Sequence, residues 1–317
     1  MAHIVVVGSL NMDVVAVSPR IPVPGETIIG NKYFTASGGK GANQAFAAAL
    51  LGGKTAMLGR IGDDAFGQEM RKTLADAGCD VSGIGITPGT SGVALIFVAE
   101  TGQNSIVVVP GANDAFLPEH IDAAQLRGAK AVLLQLENPL GTVLAAAQKA
   151  RQAGVRVILD PAPAPADPLP AELLRSVDIL TPNETEAAIL AGLAPSRLTP
   201  KQAVDVARKL QAAGSNIVIV KLGDQGCVVV EGGGATLLPA PQVNAIDTVG
   251  AGDVFNGALA VGLSEGLSLC DAAVFANHAA ALSVTRLGHG ESAIPSRDEL
   301  KAFAQQTEGA IAATTLA

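Results

Sequence analysis

The sequence predicts an α/β protein. The expected form is a three-layer α/β/α sandwich with a mainly parallel central sheet and a small β-sheet lid. Three observations carry this. Short apolar runs rich in Val and Ile recur with little polar alternation, as expected of strands buried on both faces. Alanine-rich segments of helical pattern fill the intervals between them. Two stretches, 13–36 and 92–109, break the alternation and read as strands with no helices between them.

The elements follow in order. "HIVVVG" from His3 is the first strand, and "GSLNMD" from Gly8 turns out of it. Residues 13–36 are strand-like but punctuated by Pro19, Pro22, Pro24 and Gly25. A helix is expected over Gly41–Leu51, a strand in "KTAMLG" from Lys54, and a helix over Ala65–Ala77. Residues 92–109 form two strands around a turn at Thr101–Asn104. "AVLLQL" from Ala131, "VRVILD" from Val155 and "NIVIVKLG" from Asn216 are further strands, with helices over Pro139–Ala153 and Lys201–Ala213. Asp160–Glu172, proline-rich, reads as a rigid loop leaving the "VRVIL" strand. The expected division is a core of 1–12, 37–91 and 110–306, a lid of 13–36 and 92–109, and a tail of 307–317 with no strand or helix pattern. A small isolated sheet has little to bury against, so the lid is also a candidate dimer surface.

Composition excludes several classes. The 317 residues carry a net charge of −8 and only 3% aromatics, against the basic stripes and stacking rings of a nucleic-acid surface. The same charge disfavours an anionic membrane. Any anionic ligand must be held by local groups. Cys79, Cys227 and Cys270 form no CxxC pair, and His3, His120, His278 and His289 have no metal-ligand spacing. The start has no basic n-region and its apolar run stops at Gly8, so it reads as a strand, not a signal peptide. A cytoplasmic protein is expected.

Chemistry concentrates in three stretches. "DTVGAGDVFNGAL", Asp247–Leu259, sets Gly250–Ala251–Gly252 ahead of a helix that is apolar from Val254. Glycines there let backbone approach a ligand, and the first free amides of the helix attract anions. Asp253 sits at the same point. Helix capping alone accounts for an acid there, but capping does not require the GAG turn. Phosphoryl transfer requires both parts: amides for the moving charge and a carboxylate to accept a hydroxyl proton. Neither a Walker loop nor GxGxxG fits, since "GGKGAN" lacks the Ser/Thr and Phe255 replaces the last glycine of "GAGDVF".

In "SGGKGANQA", Ser37–Ala45, glycines again precede a helix, and Lys40 and Asn43 share a helical face. This is either a tight turn with a solvated lysine or a clamp for a polyol. Asn11 and Asp13, two apart in an extended segment, point the same way. In "TPNETEAA" from Thr181, Asn183 and Glu186 share a face at a helix start. They are either a cap or a pair organising metal-bound waters near phosphates.

Taken in order with "LQLENPL", "DPAPA" and "KLGDQG", these motifs resemble the PfkB carbohydrate kinase family from about His3 to Phe303. The resemblance implies an ATP- and magnesium-dependent enzyme that phosphorylates a sugar's primary hydroxyl, a β lid that often pairs into a homodimer, and potassium as an activating cation. The nearest expectation is transfer to O5 of D-ribose, giving ribose 5-phosphate and ADP. The alternatives are 2-deoxyribose, fructose or a nucleoside, and more remotely a non-catalytic sugar-binding protein. By the same resemblance Asp253 is the catalytic base and Gly250, Ala251 and Gly252 the anion hole. Asn11, Asp13, Gly39, Lys40, Gly41, Asn43 and Glu137 are sugar positions, joined by Asp253 itself. Asn183, Lys221, Gly223, Gly226, Gly252 and Asn277 are nucleotide positions. Asn183 and Glu186 correspond to the family's magnesium element, acting through water. Asp247, Val249, Ser283, Arg286, Gly288 and Ser292 match the monovalent-cation positions, with Val249, Arg286 and Gly288 offering only carbonyls. The chain departs from the pattern at Lys221, where relatives often have Thr, and at Asn277, where they often have His, with His278 one step on.

Overall fold

The computed structural model describes residues 3–286, 293–307 and 313–316. The chain opens with β1 (Ile4–Val7), β2 (Asn11–Ser18), β3 (Lys32–Gly38), α1 (Lys40–Leu50), β4 (Thr55–Gly62), α2 (Ala65–Asp76) and β5 (Asp80–Thr87). A hairpin of β6 (Gly92–Ala99) and β7 (Asn104–Val109) leads through α3 (Ala123–Leu126) to β8 (Ala131–Leu134), α4 (Leu140–Gln152) and β9 (Arg156–Leu159). Then come α5 (Ala171–Ser176), β10 (Ile179–Leu180), α6 (Glu184–Leu190), α7 (Pro200–Ala212), β11 (Ile217–Lys221), β12 (Cys227–Glu231) and β13 (Gly234–Leu238). The chain closes with α8 (Ala251–Glu265), α9 (Leu269–Ser283), α10 (Arg297–Thr307) and β14 (Thr314–Thr315).

The large sheet runs β14-β13-β12-β11-β10-β9-β8-β1-β4-β5. Every pair from β11 to β5 is parallel, and β11 to β14 pair antiparallel. One apolar layer packs its first face with α1, α2, α8, α9 and α10, including Ala45, Met70, Leu259, Ala276 and Leu300. A second layer covers the other face with α3 to α7, including Leu126, Ala146, Leu173, Ala187 and Val206. This is the expected three-layer sandwich. All four residues of β1 and of β8 are buried, which is why these runs carry no polar alternation.

The second sheet runs β3-β2-β6-β7; its outer pairs are antiparallel and β2 and β6 run parallel. Its strands begin at Asn11 and end at Gly38, so sugar candidates lie at its inner edge. All six residues of β7 are exposed, four of them Ile or Val. The end of the chain departs from expectation. Thr314–Thr315 pairs with Leu237 and Thr236 because β13 would otherwise be an open edge. Two threonines are too short a run to show in sequence. Among the described residues no helix is long and apolar enough to cross a membrane, and the three cysteines are free.

Candidate active site

The parallel strands end along one edge, and the polar residues gather there. Gly8, Ser9 and Asn11 follow β1; Gln135 and Glu137 follow β8; Asp160 follows β9; Asn183 follows β10; Lys221 closes β11. Open α/β sheets bind ligands at this edge. A cleft of about 600 Å³ lies here, lined by Lys40, Asp160, Lys221, Asn277 and the turn Gly250–Asp253. A smaller pocket of about 30 Å³ adjoins it through Gly250 and takes in Asp13 and Asn43.

Helix α8 starts at this meeting point. Gly250 adopts the left-handed conformation at φ 76°, so the chain turns sharply into the helix. Among the described residues the Gly250 and Gly252 amides have no acceptor, Ala251 N–H makes a long bond of 3.4 Å to Thr248 C=O, and Asp253 N–H donates to Gly250 C=O at 2.9 Å. Two free donors and one weakly used donor thus form the anion-attracting end.

Asp253 is 5% exposed. Its Oδ1 accepts from Gln44 Nε2 at 3.0 Å and its Oδ2 from Asn43 Nδ2 at 3.3 Å. Burial pushes its pKa up to about 6; Lys40 opposes the shift, Asp160 and Glu137 add to it, and the Gln44 hydrogen bond resists it. That suits a proton acceptor working near neutral pH.

The sugar candidates converge beside it. Gly39 caps α1 at φ 89°. Gly41 packs so closely on Gly8 and Ser9 that a Cβ would come within 2.5 Å of Ser9 N. Glu137 Oε2 accepts from Lys40 N–H at 3.0 Å and from the Ser9 hydroxyl, tying the start of α1 to the end of β8. Burial, then the charges of Glu137 and Asp253, pushes the Asp13 pKa up to about 7. Burial opposes the charge on Lys40, but Asp253, Asp160, Glu137 and Glu186 outweigh it and raise its pKa. Asn11 is buried, and its Oδ1 accepts from Asn113 Nδ2 at 2.8 Å. Asn113 also exchanges hydrogen bonds with the Leu10 backbone.

The nucleotide candidates line the large cleft. Asn183 and Glu186 form a reciprocal capping box at the start of α6, each side chain accepting the other's backbone N–H at 2.8 Å. Both still line the cleft, and burial raises the Glu186 pKa while Lys221 opposes that. Lys221 is not solvated: its side chain is 12% exposed and its Nζ lies 2.9 Å from Asp160 Oδ1. A Cβ on Gly252 would sit 3.2 Å from that Nζ, which places the ammonium beside the α8 amides. Gly226 meets Leu238 C=O so closely that only glycine fits. Asn277 lines the cleft and donates to Leu238 C=O at 2.9 Å. His278 instead bonds Val274 C=O and Thr307 of α10, away from the cleft.

Among the cation candidates, Asp247 accepts from Val249 N–H at 3.0 Å, and Ile246 and Asp247 donate to Val284 C=O. This draws the loop to the end of α9. Val249 and Ser283 line the 30 Å³ pocket, and Arg286 pairs with Glu299. Gly288 and Ser292 lie outside the described residues. Among the described residues no group of three His, Cys, Asp or Glu could cage a metal.

Sequence reasoning missed Gln44, Asp160, Ser9 and Asn113 as site residues. The first three lay inside the motifs named above; Asn113 is about a hundred residues from its partner Asn11 and carried no signal.

The family model described as "pfkB family carbohydrate kinase" matches residues 1–308. Ribokinase of Haemophilus influenzae is 42% identical over 302 residues, covering 94% of this chain and 97% of that one. Deoxyribokinase of Salmonella typhi is 38% identical over 260 residues, covering 81% and 84%. Arabidopsis thaliana ribokinase complexed with ribose and ATP superposes with a TM-score of 0.89 at 36% identity, covering 95% and 98%.

Proposed function

The chain belongs to the pfkB family of carbohydrate kinases, and on that premise we propose that it transfers the γ-phosphoryl group of ATP to O5 of D-ribose. One observation carries the mechanism. A buried carboxylate with a raised pKa occupies the same small space as the free amides of α8. ATP lies in the large cleft with its phosphates toward Gly250–Gly252. The sugar lies between the second sheet and Asp253, held by Asn11, Asp13, Asn43 and the backbone around Gly39–Gly41.

The acceptor hydroxyl gives its proton to Asp253 as its oxygen bonds the γ-phosphorus and the bond from that phosphorus to the bridging oxygen of ADP breaks. The Gly250 and Gly252 amides, the helix dipole and Lys221 meet the charge on the transferring group. As a kinase of this family the protein takes a divalent cation such as magnesium with its nucleotide, which when bound neutralises phosphate charge. Asn183 and Glu186, which line the cleft, would serve as outer partners through water to a metal held by the phosphates. Potassium would fit between the loop at Asp247 and Val249 and the end of α9 at Ser283, where a carboxylate, carbonyls and a hydroxyl suit a hard cation. In this reading 13–36 and 92–109 form the lid, 1–12, 37–91 and 110–306 the core, and 307–317 a tail.

The similarity to a deoxyribokinase favours 2-deoxyribose as the second reading. Release of ADP across a panel of ribose, 2-deoxyribose, fructose and nucleosides tests both. Ribose is expected to give the highest kcat/KM; a higher value with any other sugar overturns the assignment.

A further inference from the structure

We propose that Gln44, hydrogen-bonded to Gln135, is a positioning residue for Asp253: it fixes which carboxylate oxygen faces the acceptor hydroxyl and links that carboxylate to the Asp160–Lys221 pair beside the nucleotide. This rests on Asp253 being the base. Gln44 is fully buried, and its Nε2 donates to Asp253 Oδ1 and Asp160 Oδ2, both at 3.0 Å. Its Oε1 accepts from Gln135 Nε2 at 2.7 Å. Were the Gln44 amide flipped, its oxygen would face two carboxylates and its NH₂ would face another NH₂. The two carboxylates therefore set the Gln44 orientation, and Gln135 Nε2 meets the oxygen that this leaves. Gln135 Oε1 packs against Gly8, where a Cβ would come 2.1 Å from it, and has no hydrogen-bond partner among the described residues.

Asp253 Oδ1 is thus committed to Gln44, and Oδ2, with only the longer bond from half-buried Asn43, is the oxygen that takes the proton. Asp160 is shared: Gln44 holds one oxygen and Lys221 the other. Through it, the charge state beside the phosphates reaches the base. The charged groups facing Asp253 are Lys40 from α1, Asp13 from β2, Glu137 after β8 and Asp160 after β9.

The test is the titration of the Asp253 carboxyl carbon by NMR in the ligand-free full chain, assigned with Asp253→Asn. In Gln44→Leu a charge-assisted donor is lost, and the midpoint moves up by about one pH unit. In Asp160→Asn a neighbouring negative charge is lost and Lys221 is left unopposed, so the midpoint moves down. The downward shift follows from the Asp160 charge alone, so the upward shift in Gln44→Leu is the readout that a merely structural role for Gln44 would not give. Midpoints equal to the parent's, or moving in the same direction, overturn the proposal. If Gln44→Leu does not fold, Gln135→Leu serves: a smaller upward shift supports the array and an unchanged midpoint contradicts it. The titration needs no substrate, so it stands apart from the assignment of ribose. A parent that releases no ADP sinks the functional reading; an unshifted Asp253 sinks this one.

Discussion

In the proposed mechanism Asp253 can act as the base because the fold makes it a poorer acid than an exposed aspartate. Buried and close to Asp160 and Glu137, it holds its proton up to about pH 6, and Asp13 nearby holds one to about 7. The base must be unprotonated, so a raised pKa moves the acid limb upward. kcat/KM for the sugar, which reports the free enzyme, is expected to fall as pH drops through the range 7 to 6. A profile flat to pH 5 contradicts this. Lys221 makes a second point at this scale. Removing it strands a buried carboxylate, so Lys221→Ala is expected to destabilise by about 3–5 kcal/mol and to raise KM for ATP. Pairing Lys221→Thr with Asp160→Asn replaces the ion pair by neutral groups and is expected to recover most of the stability. Denaturant unfolding of the single and double variants measures the coupling.

At the scale of elements, the site is an assembly of strand ends and helix starts. The α8 start depends on Gly250 at φ 76°. Gly250→Ala is expected to cost roughly 1 kcal/mol of stability and at least tenfold in kcat, because the turn also aims the amides. Thermal unfolding and turnover on one sample check both; a parent-like kcat contradicts the anion hole. The sandwich was legible in the sequence because strands buried on both faces carry uninterrupted Val and Ile, as β1 and β8 do. "DTVGAGD" and "GGKGAN" were legible because glycine is required where backbone meets backbone or ligand. Three things were not legible. The ion pair of Lys221 joins residues 61 apart. The Asn113–Asn11 bond spans 102 positions. The pairing of Thr314–Thr315 depends on an open edge that local pattern does not encode.

At the scale of the molecule, the second sheet leaves apolar surface uncovered: Tyr33, Leu95, Phe97 and the whole of β7 are exposed. An isolated sheet with an apolar face needs a partner. The homodimer that the family resemblance implies would cover this face; if it does, Ile106→Lys with Val108→Lys is expected to give monomers by sedimentation, and a parent that sediments as a monomer contradicts it. The large sheet, the lid and the two adjoining pockets then serve one event at α8. The most direct measurement compares turnover of ribose and ATP by the parent and by Asp253→Asn, with ribose affinity measured by calorimetry on each. The account predicts a fall in kcat of about 10²–10⁴ with ribose binding nearly unchanged. Turnover by Asp253→Asn at the parent's rate would contradict it.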